Sequence, residues 1–275
     1  ASPSNHRYDT ADYAHVDELL GGEAALAALI RAASARGIGI LLDGVFNHTG
    51  SDSMYFNAKG TYDTVGAAQS ADSPYAAWYS FSQFPTRYEA WWGVPTLPRV
   101  NADERSYRDF LFGENGIVRR WTRMGIAGWR IDVADELSDD FLSELSAAVR
   151  EEKPDAAVIG EVWEDATDKV SYGVRRRYLR GGELDSVMNY PMRTAIIEYL
   201  VRGDFMTMKH TLETIYGHYP PEAANAAMNI LGTHDTERIL TALGAEEMPP
   251  YEARADHRMA ADARVRAEKL LRLAV

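Results

Sequence analysis

Four apolar runs along the chain each end in acids. Residues 38–42 lead into Asp43-Gly44-Val45-Phe46-Asn47-His48, and Gly128-Trp129-Arg130-Ile131 leads into Asp132-Val133-Ala134-Asp135-Glu136. Residues 156–160 lead into Glu161-Val162-Trp163, and 226–232 into Thr233-His234-Asp235-Thr236-Glu237-Arg238. Each run has the length of a buried strand, and helical patterns separate the runs, so the rhythm predicts βα units. Parallel strands connected in this way gather their active site at their carboxyl ends, where these acids fall. Arg130 and Asp132 stand two positions apart, so on a strand they share a face. A buried charge pair is costly unless it serves a purpose, and an arginine in that place predicts an ionised Asp132.

Helical periodicity is clear over residues 23–36, where Leu26, Leu29, Ile30 and Ala33 recur on one face and Gly37 supplies the stop. Ile117, Val118 and Trp121 mark a helix over 115–124. Ser138 stands as an N-cap, with Asp139 and Asp140 in the first turn and Phe141, Leu142, Leu145 and Val149 as the buried stripe. A short strand is predicted over 185–189, and helices over 190–201, 205–216 and 255–275. Between residues 49 and 103 the rhythm breaks into Gly, Ser and Pro with many aromatics, among them Tyr55, Phe56, Trp78, Tyr79, Trp91 and Trp92. So long an interruption of a βα series predicts an inserted domain.

Composition narrows the function. With 275 residues, 46% of them hydrophobic, the chain can bury a full core. A net charge of -12 opposes a nucleic-acid partner, and the runs Arg119-Arg120 and Arg175-Arg176-Arg177 read as solvated helix faces. The lack of cysteine removes disulfides and thiolate metal sites and favours a reducing compartment, the cytoplasm over secretion. No apolar run is long enough to predict a membrane span, and the first residues do not read as a signal peptide.

The acids admit two chemical readings. In glycoside hydrolysis one ionised carboxylate attacks the anomeric carbon while a protonated acid serves the leaving oxygen and then activates water. Asp132 beside Arg130 fits the first role. Glu161, in the apolar setting of Ile159, Val162 and Trp163, fits the second. Metal-dependent hydrolysis is disfavoured, because no two histidines stand at a short chelating spacing. A structural ion pair explains any one of the acids, but poorly explains four at equivalent places. The aromatics can pack or can stack on sugar faces, and an acidic, aromatic-rich cleft suits a neutral polyol.

Five separated motifs occur in order: Asp43-Gly44-Val45-Phe46-Asn47-His48, Leu97-Pro98-Arg99-Val100-Asn101, residues 128–136, Gly160-Glu161-Val162-Trp163 and Gly232-Thr233-His234-Asp235. Through them the chain resembles the alpha-amylase family of glycoside hydrolases (family 13) over essentially its whole length. Residues 4–13 and the Leu-Pro-Arg-Val-Asn segment look most like the neopullulanase, cyclomaltodextrinase and maltogenic amylase branch, which usually reads Met-Pro-Lys-Leu-Asn there. The resemblance implies an α/β fold, a (β/α)8 TIM-barrel catalytic domain over 1–48 and 104–275, with an inserted domain B over 49–103. It places the chain at barrel strands three to seven, so a truncated piece of a longer enzyme is expected, with open sheet edges that invite a homo-oligomer.

Residue by residue, the resemblance implies that Asp132 is the nucleophile, Glu161 the general acid/base and Asp235 a third acid gripping sugar hydroxyls. His48 and His234 would bond the same sugar, Arg130 would orient the nucleophile, Tyr8 would stack under the ring, and Trp163, Asp135 and Glu136 would line the substrate path. The branch commonly has Ala-Asn-Glu where this chain has Ala134-Asp135-Glu136, which leaves the acceptor side open. The implied partner is an α-glucan, maltodextrin, cyclodextrin or pullulan, cleaved at α-1,4 bonds with retention through a covalent intermediate. A glucan transferase and a catalytically inactive glucan-binding fragment are the alternatives. No cofactor is implied, and calcium stays open through Asn47 and oxygens from the insertion.

Overall fold

The structure, a computed structural model, describes residues 1–245 and 258–275. The chain divides into two compact units, one of residues 1–161 with 171–185, the other of 162–170 with 186–275. Residues 49–103 fall wholly within the first.

In chain order the first unit contains α1 (Gly22–Ser34), β1 (Leu41–Gly44), a hairpin of β2 (Phe81–Gln83) and β3 (Arg87–Tyr88), α2 (Arg105–Phe112), α3 (Ile117–Arg123), β4 (Gly128–Ile131), α4 (Asp139–Glu152) and β5 (Ala157–Gly160). β4 lies between β1 and β5, parallel to both. The register sets Asp43 opposite Arg130 and Ile131 opposite Gly160, so the chain leaves β4 and β5 at the same level, into Asp132 and Glu161. All four residues of β4 are buried, as expected of a strand covered on both faces. At its start Gly128 has φ 153°, and a Cβ there would sit 2.0 Å from the Ala157 carbonyl oxygen, so only glycine lets the two strands close.

The helices form where the sequence pattern places them, for the reasons it contains. Ser138 Oγ accepts the Phe141 N–H at 3.2 Å, and Phe141, Leu142, Leu145 and Val149 are buried below it. Ile117, Val118 and Trp121 form the buried stripe of α3. α1 ends at Gly37, in the left-handed region at φ 70°, with the Ile38 N–H returning to the Ala33 carbonyl. Leu29, expected on the buried face of α1, is exposed.

Within 49–103 the aromatics mostly pack on one another. Phe56 touches Tyr79 and Tyr88 edge-on with centroids 4.9 and 4.6 Å apart, and Tyr55 lies 5.4 Å from Trp78. This cluster gives the stretch a core despite its few hydrogen-bonded strands.

The second unit contains the short strand Ser186–Val187 and the helices α5 (Tyr190–Arg202), α6 (Phe205–His218), α7 (Pro221–Asn225), α8 (Ile239–Gly244) and α9 (Ala261–Ala274). The strand expected over 226–232 does not form. Met228 makes a lone parallel bridge to Met188, donating to the Val187 carbonyl and accepting from Asn189. Ala226 still belongs to the end of α7, its N–H bonded to the Glu222 carbonyl, and alanine and asparagine are weak strand formers. Of the helix expected over 255–275, residues 255–257 lie outside the described residues, and α9 begins at Ala261. No described helix is long and apolar enough to cross a membrane.

Candidate active site

The ladder brings four ionisable side chains of the first unit together at the strand ends. Arg130 Nη1 stands 2.7 Å from Asp132 Oδ1 and 2.7 Å from Asp43 Oδ1, and Nη2 stands 2.7 Å from Glu161 Oε2. The alternation of Arg130 and Asp132 thus places them on one face, as the sequence predicts. Register then adds the other two, because Asp43 is the direct neighbour of Arg130 and Glu161 emerges level with Asp132. The side chains of Asp132 and Glu161 are 6% and 4% exposed.

One guanidinium therefore serves three carboxylates. Burial, only partly opposed by Arg130 and reinforced by the neighbouring Glu161 and Asp43, pushes Asp132 up to about 8. Arg130 itself loses by burial but is held well above its ordinary value by Asp43, Glu161 and Asp132, so it stays a cation.

The turn after β4 is shaped to serve Glu161. Val133 has φ 40° and ψ 55°, a left-handed conformation that a β-branched residue adopts only under constraint. In that pose its N–H donates to Glu161 Oε2 at 2.9 Å. A short 3-10 turn, Ala134–Glu136, follows.

Tyr8 and His48 border the cluster. The Tyr8 hydroxyl donates to Asp43 Oδ2 at 2.7 Å, and the Arg130 guanidinium lies 5.6 Å from the centre of its ring. Burial and the Asp43 carboxylate raise the Tyr8 phenol far above its ordinary value, so it remains a donor. His48 is buried, its Nε2 3.0 Å from the Tyr8 carbonyl and its Nδ1 3.2 Å from Asn47 Nδ2. Burial lowers it to about 4, so the ring is neutral, with the Nε2 proton given to Tyr8 and Nδ1 accepting from the amide. Both ring nitrogens are thus engaged within the protein. The imidazole also stacks on Trp91, which stacks in turn on the exposed Trp92.

Asp135 and Glu136 are held by a segment whose role the sequence pattern did not reveal. The arginine run 175–177 is no solvated helix face. Arg176 is buried, with Nε 2.7 Å from Asp139 Oδ1 and its Nη atoms donating to the carbonyls of Asp135 and Leu137. Ser171 Oγ donates to the Asp135 carbonyl at 2.9 Å, and Tyr178 donates to Asp135 Oδ1 at 2.5 Å. Tyr172 donates to Glu136 Oε2 at 2.6 Å. The one readable signal was Tyr172-Gly173, whose positive φ values of 52° and 78° are those of a tight two-residue turn.

The remaining expected site residues lie in the second unit. Trp163 stacks on Tyr190 at a centroid distance of 4.0 Å, and His234 Nε2 stands 3.0 Å from Asp235 Oδ2. The Asp235 side chain is 38% exposed.

Calcium requires about six to eight oxygen ligands. Among the described residues no group of three or more His, Asp or Glu side chains could hold a metal ion, and Asn47 turns its amide nitrogen to His48.

A buried arginine clamps acids at the carboxyl ends of neighbouring parallel strands, and comparison with known proteins identifies the class of protein. The profile of the alpha-amylase catalytic domain matches residues 1–263. The chain belongs to the alpha-amylase family of glycoside hydrolases, whose catalytic domain is a TIM barrel. It is 38% identical to an amylopullulanase of Thermoanaerobacter thermohydrosulfuricus over 88% of this chain and 18% of that protein. It is 35% identical to neopullulanase 2 of Thermoactinomyces vulgaris over 90% of this chain and 40% of that protein. Among solved structures, the cyclic alpha-maltosyl-(1→6)-maltose hydrolase of Arthrobacter globiformis superposes with a TM-score of 0.77 at 31% identity, over 88% of this chain and 52% of that one. The chain thus spans between 18% and 52% of the length of these relatives.

Proposed function

We propose that the chain carries the catalytic carboxylates of a retaining α-glucan hydrolase acting on α-1,4 bonds of maltodextrin, cyclodextrin or pullulan. The observation that carries this reading is the clamp: Asp132 and Glu161 leave adjacent, in-register strands and share the two Nη atoms of Arg130.

In the first step Asp132 attacks the anomeric carbon and the protonated Glu161 gives its proton to the departing oxygen. In the second step Glu161 takes a proton from water, which displaces Asp132 from the sugar. The Arg130 cation opposes the effect of burial on Asp132 and favours its carboxylate form. Arg130 and the Val133 N–H hold the two groups in place. Tyr8 offers its ring as the floor of the sugar site, and His48, neutral and bonded to the Tyr8 backbone, fixes that floor. Asp235, His234 and Trp163 complete the sugar contacts in this proposal, by likeness to the family.

The test is Glu161→Gln, assayed on maltohexaose. Loss of the general acid should slow cleavage by about 10²- to 10⁴-fold with little change in KM. Unchanged cleavage would remove Glu161 from the mechanism.

A further inference from the structure

Trp91 stands outside the cluster of acids, yet its indole bears on the site through His48. The two rings stack with centroids 5.0 Å apart and planes 14° apart, and Trp91 also stacks on Trp92 at 5.2 Å and 26°. One short stretch of backbone sets both residues. The Trp91 N–H donates to the Leu97 carbonyl, the Thr49 N–H donates to the Pro98 carbonyl, and His48 bridges Arg99. The approach of imidazole to indole is therefore built into the backbone, which lowers the ordering cost of the stack. Trp91 is held for its face. Its Nε1 is buried and has no hydrogen-bond partner among the described residues, so the N–H is a cost rather than an anchor. The neighbouring Trp92 has φ 49°, a left-handed conformation that a bulky residue adopts only under constraint. The turn tolerates an unmet donor and a strained backbone, and it gains an aromatic surface against His48.

The hydrogen bonds of His48 leave that surface a task. Nε2 donates to the Tyr8 carbonyl at 3.0 Å and Nδ1 accepts from Asn47 Nδ2 at 3.2 Å. These bonds fix where the ring edges point but permit tilt of the plane, because hydrogen bonds weaken steeply only below about 120°. A stacked indole resists the tilt directly. Holding the plane holds the bond to Tyr8, whose hydroxyl in turn is fixed on Asp43.

We propose, on the glucan-cleaving reading above, that Trp91 is a positioning residue of the sugar site: it fixes the plane of His48, and His48 fixes the backbone of Tyr8 beneath the sugar. Trp91 acts through the imidazole and not by touching the glucan.

The experiment uses the 275-residue chain and maltohexaose. Trp91→Leu fills much of the same space without a stacking face. It should raise KM about three- to tenfold, the worth of one aromatic pair, with kcat nearly unchanged, since Tyr8 offers its ring to substrate and transition state alike. A merely structural loss would instead lower the amount of active protein, so that apparent kcat falls at constant KM. Trp91→Phe restores a ring and should return KM to within about twofold of the parent. In a His48→Ala background, Trp91→Leu should raise KM no further, because the path it acts through is gone. An unchanged KM in Trp91→Leu, a Trp91→Phe no better than Trp91→Leu, or a further rise on top of His48→Ala overturns the proposal. If the parent chain cleaves nothing, the hydrolase reading fails separately, and amide hydrogen exchange in the peptide that carries Tyr8 decides. Faster exchange in Trp91→Leu but not in Trp91→Phe keeps the brace, while exchange equal to the parent, or faster in both, removes it.

Discussion

The acids that end apolar runs in the two units have different fates. In the first unit, Asp132 and Glu161 leave strands joined by a continuous ladder, and they are buried against a shared guanidinium. In the second unit, Asp235 follows a run that makes a single bridge at Met228, and its side chain keeps 38% of its surface exposed beside His234. The residue type and the preceding apolar pattern are alike. What differs is the ladder, which fixes neighbours at a set level, excludes water and so turns an ordinary carboxylate into one with a displaced proton affinity.

Three substitutions test that contrast. Removing the cation has the largest expected effect on stability, because it strands buried carboxylates. Arg130→Met should destabilise the chain by about 3–5 kcal/mol in urea unfolding at pH 7. A loss well below that would mean the clamp carries little of the fold. The next effect depends on pH. Asp132 rises from 3.8 to about 8 in the folded chain, so the folded state binds its proton more tightly than the unfolded one. Its contribution to stability is therefore complete below pH 3.8 and is lost as the pH climbs through about 8. Asp132→Asn should flatten that decline and unfold at a higher temperature than the parent above pH 8, with the gap reversing or closing in acid. His48, lowered from 6.5 to about 4, works the other way, its stabilisation being lost as the pH falls through that range, so Asp132→Asn and the parent should share an acid-side decline. The smallest effect belongs to Asp235→Asn, which should shift unfolding by no more than about 0.5 kcal/mol. A loss of about 2 kcal/mol would place Asp235 in a setting as demanding as that of Asp132.

The alternation of Arg130 and Asp132, the Ser138 cap and the stripe on α3 could be read from the chain because each depends on neighbours within one element. Register could not be read, and it is register that adds Asp43 to the Arg130 clamp and sets Glu161 level with Asp132. The left-handed Val133 was equally hidden, since valine is among the last residues expected there. Three consecutive arginines are consistent with a solvated face, and only tertiary contacts reveal that Arg176 turns inward to the Asp135 and Leu137 carbonyls. The run over 226–232 has the hydrophobicity of a strand but begins with alanines that the preceding helix claims. The burden on Arg130 is hidden for a related reason: a sequence displays one arginine beside one aspartate, not the three carboxylates that divide its charge.

Val133 sets a conflict for directed evolution. Glycine or asparagine would occupy that backbone more comfortably, so a library sorted for heat tolerance alone should drift toward them at this position. Such winners would loosen the amide that steadies Glu161, and thermal robustness and turnover would part company at a residue that touches no substrate.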